Sequence, residues 1–168
     1  MKRIAIIFCS VLSALLGATG VANANATEVG AAGVQAVVNC QHGTTYGTIV
    51  SAAYVKRWDG QVNLGAIQLC KDNSSNYWAF LIFYDPVPTG NWGNAYLNRY
   101  VNGEHVGFLG CDSAGGNDFV DRGQTRCWTP KVHAPSSQYT FLASGIQCEG
   151  THPSCTFRQG VGLTARKR

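Results

Sequence analysis

The stretch Tyr77-Trp78-Ala79-Phe80-Leu81-Ile82-Phe83-Tyr84 decides the fold class of this chain. An extended strand built from it is apolar on both faces, whereas a strand with one face in water alternates apolar and polar residues. We therefore expect this strand at the centre of a sheet that is covered on both sides. The polar turn at residues 71–76 precedes it, and Pro86 and Pro88 end it because proline cannot continue a central ladder.

Further strand signals recur on both sides of this segment, and runs with helical spacing are absent. The clearest hairpin joins residues 96–101 to 104–109 through Asn102-Gly103, which suits a type I′ turn with two positive φ angles. The other predicted strands are residues 34–40, 46–58, 62–69, 124–129 and 139–146. The pattern predicts an all-β domain of about seven to nine short strands, an antiparallel β-sandwich or, second, a partly closed barrel.

The amino-terminal residues predict export. Lys2 and Arg3 precede an apolar run at residues 4–16, and small residues follow up to Ala26. We expect residues 1–26 to be a signal peptide and residues 27–168 to be a single secreted, extracellular β domain. The apolar run is shorter than the roughly 20 residues that cross a bilayer, so no membrane span is expected.

The charge balance argues against a nucleic-acid partner. Of the 13 Lys and Arg residues, all but Lys2 and Arg3 lie in the predicted mature part, against nine acids. Three of them are Arg166, Lys167 and Arg168, a short basic tail that we expect to be frayed and solvated. The rest of the domain is close to neutral, whereas a nucleic-acid-binding fold spreads basic residues over a face.

Six cysteines in the predicted mature chain indicate a disulfide-stapled domain, as is usual in an oxidising compartment. Six cysteines allow fifteen pairings. Short spacing suggests Cys111 with Cys127 and Cys148 with Cys155, which leaves Cys40 with Cys70. Zinc is disfavoured because no Cys-x-x-Cys or His-x-x-x-His pair occurs. No cofactor is predicted.

One segment carries a family resemblance. Gly65-Ala66-Ile67-Gln68-Leu69-Cys70 followed by Tyr77-Trp78-Ala79-Phe80 resembles a motif of small exported actinobacterial domains of unknown function, over about 20 residues. In those domains a glycine-led strand leads through a cysteine-bearing turn to a Trp-Ala strand. The resemblance implies export and a β fold, and it implies no activity because the family has none assigned.

A glycine-rich loop offers a possible nucleophile. Gly110-Cys111-Asp112-Ser113-Ala114-Gly115-Gly116 resembles the nucleophile loop of chymotrypsin-like serine proteases, and His42, Asp85 and Ser113 follow that family's chain order. However, Ala114 replaces a glycine, His42 has a different sequence context, and the chain is short for two barrels. A glycine-rich turn beside a disulfide is the favoured interpretation.

The same region contains oxygen donors of the kind that bind calcium. Asp112, Asn117, Asp118 and Asp121 occur within ten residues, but their spacing matches no EF-hand. Asp and Asn also favour turns by bonding their own backbone, so no metal is predicted. His105, His133 and His152 lack metal-ligand spacing and are expected to be surface or capping residues.

Aromatic residues give the strongest indication of a binding surface. Trp58, Trp92 and Trp128 lie near predicted turns, and flat rings next to amides and hydroxyls suit sugar recognition. The predicted contact surface lies within residues 91–100. Its residues are Trp92, Asn94, Tyr96, Asn98 and Tyr100.

A third function class is a protease inhibitor, because residues 151–158 form a proline-containing, cysteine-anchored segment that ends in Phe157 and Arg158. The sequence as a whole favours a non-catalytic extracellular binding domain whose partner is an extracellular polysaccharide, including those of the cell wall, or a secreted protein. A protease inhibitor is the alternative, and a serine hydrolase is less favoured.

Overall fold

The computed structural model describes residues 40–168. The predicted signal peptide, residues 1–26, and all but the last residue of the predicted strand 34–40 lie outside the described part.

Residues 40–168 form eleven β-strands and no helix, so no helix in this range could cross a membrane. The strands are β1 (Gln41–His42), β2 (Thr45–Tyr46), β3 (Thr48–Arg57), β4 (Asn63–Lys71), β5 (Asn76–Phe83), β6 (Asn91–Val101), β7 (Glu104–Gly110), β8 (Arg126–Trp128), β9 (Val132–His133), β10 (Tyr139–Glu149) and β11 (Phe157–Leu163). The predicted all-β fold is confirmed, and β11 is a strand that the sequence pattern did not predict.

Nine of the strands form one antiparallel sheet in the order β7-β6-β10-β11-β3-β4-β5-β8, with β9 also paired to β5. The sheet curls, since β10 and β6 contact β5 although they are not its neighbours in the ladder. It therefore forms a half-barrel, the second of the two architectures expected from the sequence. β1 and β2 form a separate two-stranded sheet.

Strand β5 is buried on both sides, as its composition predicts. Tyr77, Ala79, Leu81 and Phe83 point into the half-barrel, where the Tyr77 ring stacks on Phe141 of β10 at 4.6 Å. The side chains between them form a second cluster on the outer side of the strand, together with both half-cystines Cys40 and Cys70. They are Trp78, Phe80 and Ile82.

The small β1–β2 sheet covers this outer side of β5. Trp78 Nε1 donates to the carbonyl oxygen of Gln41 at 3.2 Å, and the His42 ring meets the Trp78 ring edge-on at 5.7 Å. The Lys131 ammonium lies 4.8 Å from the Trp78 ring centre. Trp78 thus fills a core position, as expected.

All three disulfides have the pairing that spacing suggested. Cys40 is joined to Cys70, Cys111 to Cys127, and Cys148 to Cys155. The first ties the start of the described chain to β4, and each of the other two closes a loop between strands.

The predicted Asn102-Gly103 hairpin is present, and both residues have positive φ, 52° and 86°. A bulge follows in β7, because the pairing shifts between Arg99 and Tyr100 on the opposite strand. As a result Phe108 faces Asn98 across the ladder. Without the extra residue, Phe108 would face Leu97 and point into the core instead, since successive side chains alternate between faces.

The expectation of a frayed basic tail is wrong. Lys167 exchanges two backbone hydrogen bonds with Phe141, at 2.7 and 2.8 Å. The Arg166 guanidinium lies 4.5 Å from the Tyr100 ring centre and donates to the carbonyl oxygen of Gly103 at 3.2 Å. These contacts attach the carboxyl-terminal residues to the β6–β10 part of the sheet.

The double burial of β5 has a direct test. We expect Leu81→Ala to lower the free energy of unfolding by about 2–5 kcal/mol, because the cavity it leaves is enclosed by other core residues. Urea denaturation measures the loss. Val106→Ala on edge strand β7, where the side chain is 51% exposed, is the control and should change stability by no more than about 0.5 kcal/mol. Equal losses in the two variants would contradict this packing.

The β4–β5 turn is held by the Asp72 carboxylate. It accepts hydrogen bonds from the backbone N–H of Ser74 at 2.9 Å and of Asn76 at 3.0 Å, from the Asn76 amide, and from the Lys131 ammonium at 3.0 Å. Burial alone would raise the pKa of Asp72, but the bonds from Asn76 and Lys131 outweigh it and hold the pKa at about 2.

This carboxylate predicts an acid-sensitive turn. Its folded-state pKa lies below the ordinary value of 3.8, so its contribution to stability is present above about pH 4 and is lost between about pH 4 and 2. Asp72→Asn should be less stable than the native protein at pH 6, and the two thermal midpoints should converge towards pH 2. Asn73→Ala, an exposed change in the same turn, should follow the native curve. Midpoints that stay equally far apart down to pH 2 would refute this role of Asp72.

Candidate binding cleft

The five predicted contact residues lie on one face of β6, because they occupy alternate positions of a strand. This is the outer face of the half-barrel, since the intervening residues Ala95 and Leu97 belong to the inner core. Trp92 and Asn94 are buried, and Tyr96, Asn98 and Tyr100 are half-buried.

A cleft of about 480 Å³ opens on this face, and we call it the first cleft. Its floor comes from the neighbouring strands β7, β6 and β10, and its walls come from the loops that follow β7 and β10. The side chains that line it are Trp92, Tyr96, Asn98, Phe108, Asp112, Ser113, Ser144, His152 and Pro153, with Gly110. Its size is within the range of small-molecule sites.

The cleft brings together three segments that are far apart in the sequence. Residues 91–100 were the predicted binding surface, residues 110–116 the glycine-rich loop, and residues 151–158 the possible inhibitor segment. The Cys111–Cys127 and Cys148–Cys155 disulfides close the two loops that form the walls. Three separate sequence signals therefore belong to one site.

Asn94 fixes the first wall. Its side chain is fully buried, its Oδ1 accepts the backbone N–H of Cys111 at 3.0 Å, and its Nδ2 donates to Asp112 Oδ1 at 3.1 Å. The Asp112 carboxylate lies directly over Gly110, where a Cβ atom would collide with it. Asn94 thus positions the carboxylate of the cleft from beneath.

Packed rings fix the second wall. The His152 ring stacks on Phe119 with centres 4.1 Å apart and meets Trp92 edge-on at 4.7 Å. Trp92 Nε1 donates to the carbonyl oxygen of Ser154 at 3.0 Å. Trp92 is only 3% exposed, so it supports the 150–156 loop and does not offer a flat surface to a ligand.

The polar groups of the cleft are arranged around Asp112. His152 Nε2 lies 3.4 Å from Asp112 Oδ2, which makes an ion pair whenever the imidazole is protonated. Burial raises the pKa of the Tyr96 phenol, and the nearby Asp112 carboxylate raises it further. The Tyr96 hydroxyl therefore stays protonated at neutral pH and can donate a hydrogen bond. Asn98 Nδ2 donates to Ser144 Oγ at 3.1 Å.

Three aromatic residues that the sequence analysis singled out lie outside the cleft, and one of them, Tyr100, is a predicted contact residue. Trp58 is 69% exposed and meets the Phe157 ring edge-on at 6.2 Å, and neither residue lines the cleft. Trp128 packs against the outer cluster of β5, where its ring is 5.9 Å from that of His42. Tyr100, on the correct face of β6, lies beyond the cleft beside Arg166 and His105.

The structure does not bring together His42, Asp85 and Ser113, the three residues that follow the chymotrypsin-like order. His42 lies in β1 against Trp78, Asp85 is exposed after β5, and neither lines the cleft that contains Ser113. The Ser113 hydroxyl accepts the backbone N–H of Gly110 at 3.0 Å. The histidine and carboxylate that do share the cleft with Ser113 are His152 and Asp112.

The oxygen donors considered for calcium serve the backbone. Asn117 Oδ1 accepts the N–H of Trp128, Asp118 Oδ1 that of Phe119, and Asp121 Oδ1 that of Arg122. Within residues 40–168 no group of three or more His, Cys, Asp or Glu side chains could hold a metal ion.

The possible inhibitor segment is not a free loop. Phe157 and Arg158 are the first residues of β11 and pair with Glu149 and Cys148 of β10. A specificity residue of an inhibitor must enter a protease cleft, whereas these two belong to a sheet.

Sequence reasoning missed three cleft residues. His152 was expected to be a surface or capping residue, but its side chain is only 16% exposed between Phe119 and Trp92. Phe108 reaches the cleft through the β7 bulge, and Ser144 reaches it by lying opposite Tyr96 on β10. The Asn-Gly hairpin and the loop cysteines were the signals that pointed to these strands and loops.

Comparison with known proteins assigns no family. No protein-family model and no solved structure matches the sequence. The uncharacterized protein YjfA of Bacillus subtilis (strain 168) is 29% identical over 104 residues. The match covers 57% of this chain and 64% of YjfA, so the chain spans less than two thirds of that relative. Because YjfA is itself uncharacterized, this similarity assigns no activity to the chain.

The role of Asn94 predicts a charge-dependent loss of stability. Asn94→Asp keeps the size of the side chain but places a buried carboxylate against Asp112, so the variant should lose about 1–3 kcal/mol or more at pH 7. The repulsion and the burial raise the pKa of the new carboxyl group, so the loss should shrink as the pH falls towards 4. Thermal denaturation of variant and native protein at each pH measures it.

Asn98→Asp is the matched control, because this half-buried amide faces the Ser144 hydroxyl and not a carboxylate. It should cost less at pH 7 than Asn94→Asp and show a weaker pH dependence. The assignment of Asn94 fails if both variants behave alike.

Proposed function

We propose that this protein is a secreted, non-catalytic domain that binds an extracellular polysaccharide in the first cleft. The observation that carries the proposal is the meeting of an exposed and a half-buried aromatic ring with amide, hydroxyl and carboxylate groups in one cleft of about 480 Å³. Sugars have both apolar ring faces and hydroxyl edges, and such mixed sites suit them.

The rings available to a ligand are Phe108 and Tyr96. Phe108 is 59% exposed, and its ring stands perpendicular to that of Tyr96 with centres 5.6 Å apart. The two rings form an apolar corner against which the face of a sugar can pack. Asn98, Ser144 and Asp112 lie around this corner and offer donors and acceptors for hydroxyl groups.

The backbone of the cleft floor favours a sugar over an extended peptide. β6 pairs with β10 from Asn91 to Val101 and with β7 from Tyr96 to Val101. A peptide that adds a strand needs a free sheet edge, and in this floor only β7 has one, since β6 and β10 each pair on both sides. Over β6 and β10, recognition has to come from side chains, which suits a ligand rich in hydroxyl groups.

Secretion is part of the proposal. The pattern of residues 1–26 and three disulfides support an oxidising, extracellular location. Walls held by disulfides also reduce the conformational entropy that a ligand must remove on binding.

The first test is a pull-down of the purified protein with insoluble cellulose, chitin and peptidoglycan. We expect binding to at least one of them, and Phe108→Ala should weaken it by at least about fivefold, or about 1 kcal/mol. Phe157→Ala is the matched control, because it removes another exposed phenyl ring that does not line the cleft. The proposal fails if none of the three polymers is bound, or if the two variants lose binding equally.

A second candidate, a hydrolase, has one observation in its favour. Ser113 shares the first cleft with Asp112 and His152, whose imidazole lies 3.4 Å from the carboxylate. A nucleophilic serine would need His152 as its base. Ser113→Ala separates the two functions, because it abolishes a hydrolase and leaves a binding domain intact.

A further inference from the structure

We infer that the ligand is an extended chain of two or more sugar units that crosses the His152 ring and occupies two neighbouring clefts. The inference rests on the proposed function and adds the form of the ligand to it. A site for a single sugar would be complete with the first cleft alone.

A second cleft of about 410 Å³ lies on the other side of His152. Trp92 and His152 line both clefts. The His152 ring forms the ridge between them, and the buried Trp92 ring packs against it as a support. The second cleft is bounded further by Phe119, Asp121, Arg122 and Thr151. Two cavities of similar size that share one wall can accept successive units of one chain.

The ridge is fixed in place. His152 is packed between Phe119 and Trp92, and Trp92 Nε1 donates a hydrogen bond to the carbonyl oxygen of Ser154. The Cys148–Cys155 disulfide closes the loop that carries His152 and Ser154. A chain that crosses it meets a preformed surface, and little ordering is needed on binding.

Two glycines shape the wall of the second cleft. Gly90 and Gly150 line it, and the N–H of Gly150 donates to the carbonyl oxygen of Gly90 at 2.7 Å. Both have positive φ, 81° and 125°, a conformation that favours glycine. A Cβ at Gly150 would lie 2.7 Å from the carbonyl oxygen of Ser154, so the tight packing of this loop also requires glycine there.

Each cleft has its own polar groups. The first offers Asn98, Ser144 and the Asp112 carboxylate, and the second offers Asn91, Asp121 and the exposed Arg122. Asp121 Oδ1 accepts the backbone N–H of Arg122 at 2.7 Å, which fixes this turn, and the Arg122 residue is exposed. A second sugar unit therefore gains hydrogen bonds that a single unit cannot make.

The test is isothermal titration of the full mature protein with N-acetylglucosamine and its oligomers and with glucose and the cello-oligosaccharides, from the single sugar to the hexamer. In the series that binds, affinity should rise by at least about tenfold from the single sugar to the longest oligomer, equivalent to about 1.4 kcal/mol. This exceeds the severalfold gain that a longer chain obtains merely from offering more units to one cleft.

Two variants of the second cleft test whether this cleft causes the increase in affinity with chain length. Arg122→Ala removes its cation, and Thr151→Trp fills it from an exposed position. Each should remove most of the increase with chain length. Lys56→Ala, which removes an exposed cation from β3, is the charge-matched control and should keep the increase.

The outcomes separate the two proposals. Binding that does not depend on chain length, or an increase that survives in both variants of the second cleft, overturns the extended ligand and leaves a one-cleft binding domain. If neither series and none of the insoluble polymers binds, the proposed function fails and the inference fails with it.

Discussion

The burial of β5 on both sides is the constraint on which the rest of the structure depends. Its side chains alternate between two clusters, so each face of the strand needs its own cover. The curl of the sheet places β6 and β10 over the inner face, and the β1–β2 sheet with the Cys40–Cys70 disulfide covers the outer face. Because the inner cluster is closed by β6 and β10, the opposite face of those two strands is left for other uses, and the clefts lie there.

The cleft is built from alternation on β6. Ala95 and Leu97 face the core, and their neighbours Asn94, Tyr96 and Asn98 face outwards. A strand that holds the core together on one side can therefore carry polar recognition groups on the other without loss of packing. Asn94 is the link between the two roles, since its amide is fully buried and yet determines where the Asp112 carboxylate lies.

Much of this could be predicted from local chemistry. The apolar run at 77–84, the Asn102-Gly103 turn and the short spacing of the loop cysteines each have one favoured structural outcome, and each has that outcome here.

Strand β11 was missed because Gly160 and Gly162 give it weak strand propensity. Both glycines are needed because β11 crosses close to β3, where a Cβ at Gly162 would lie 2.7 Å from the Tyr54 carbonyl oxygen. The position of Phe108 depends on a one-residue bulge, and the cleft depends on which loops meet in space. Neither of these long-range outcomes is visible in a single sequence.

The disulfide-closed loops have a consequence for how such a domain can change. Each wall of the first cleft belongs to a loop that is tied at both ends, and neither loop contributes a strand to the centre of the sheet. Residues 149–154 of the Cys148–Cys155 loop contribute to neither core cluster, so they can be replaced, lengthened or shortened while β5 and its two covers stay as they are. The Cys111–Cys127 loop is restricted at Val120, which is buried in the inner cluster and exchanges two backbone hydrogen bonds with Gly93. The domain is in this respect a scaffold with one exchangeable wall, suited to evolving or to being engineered toward new ligands without redesign of its core.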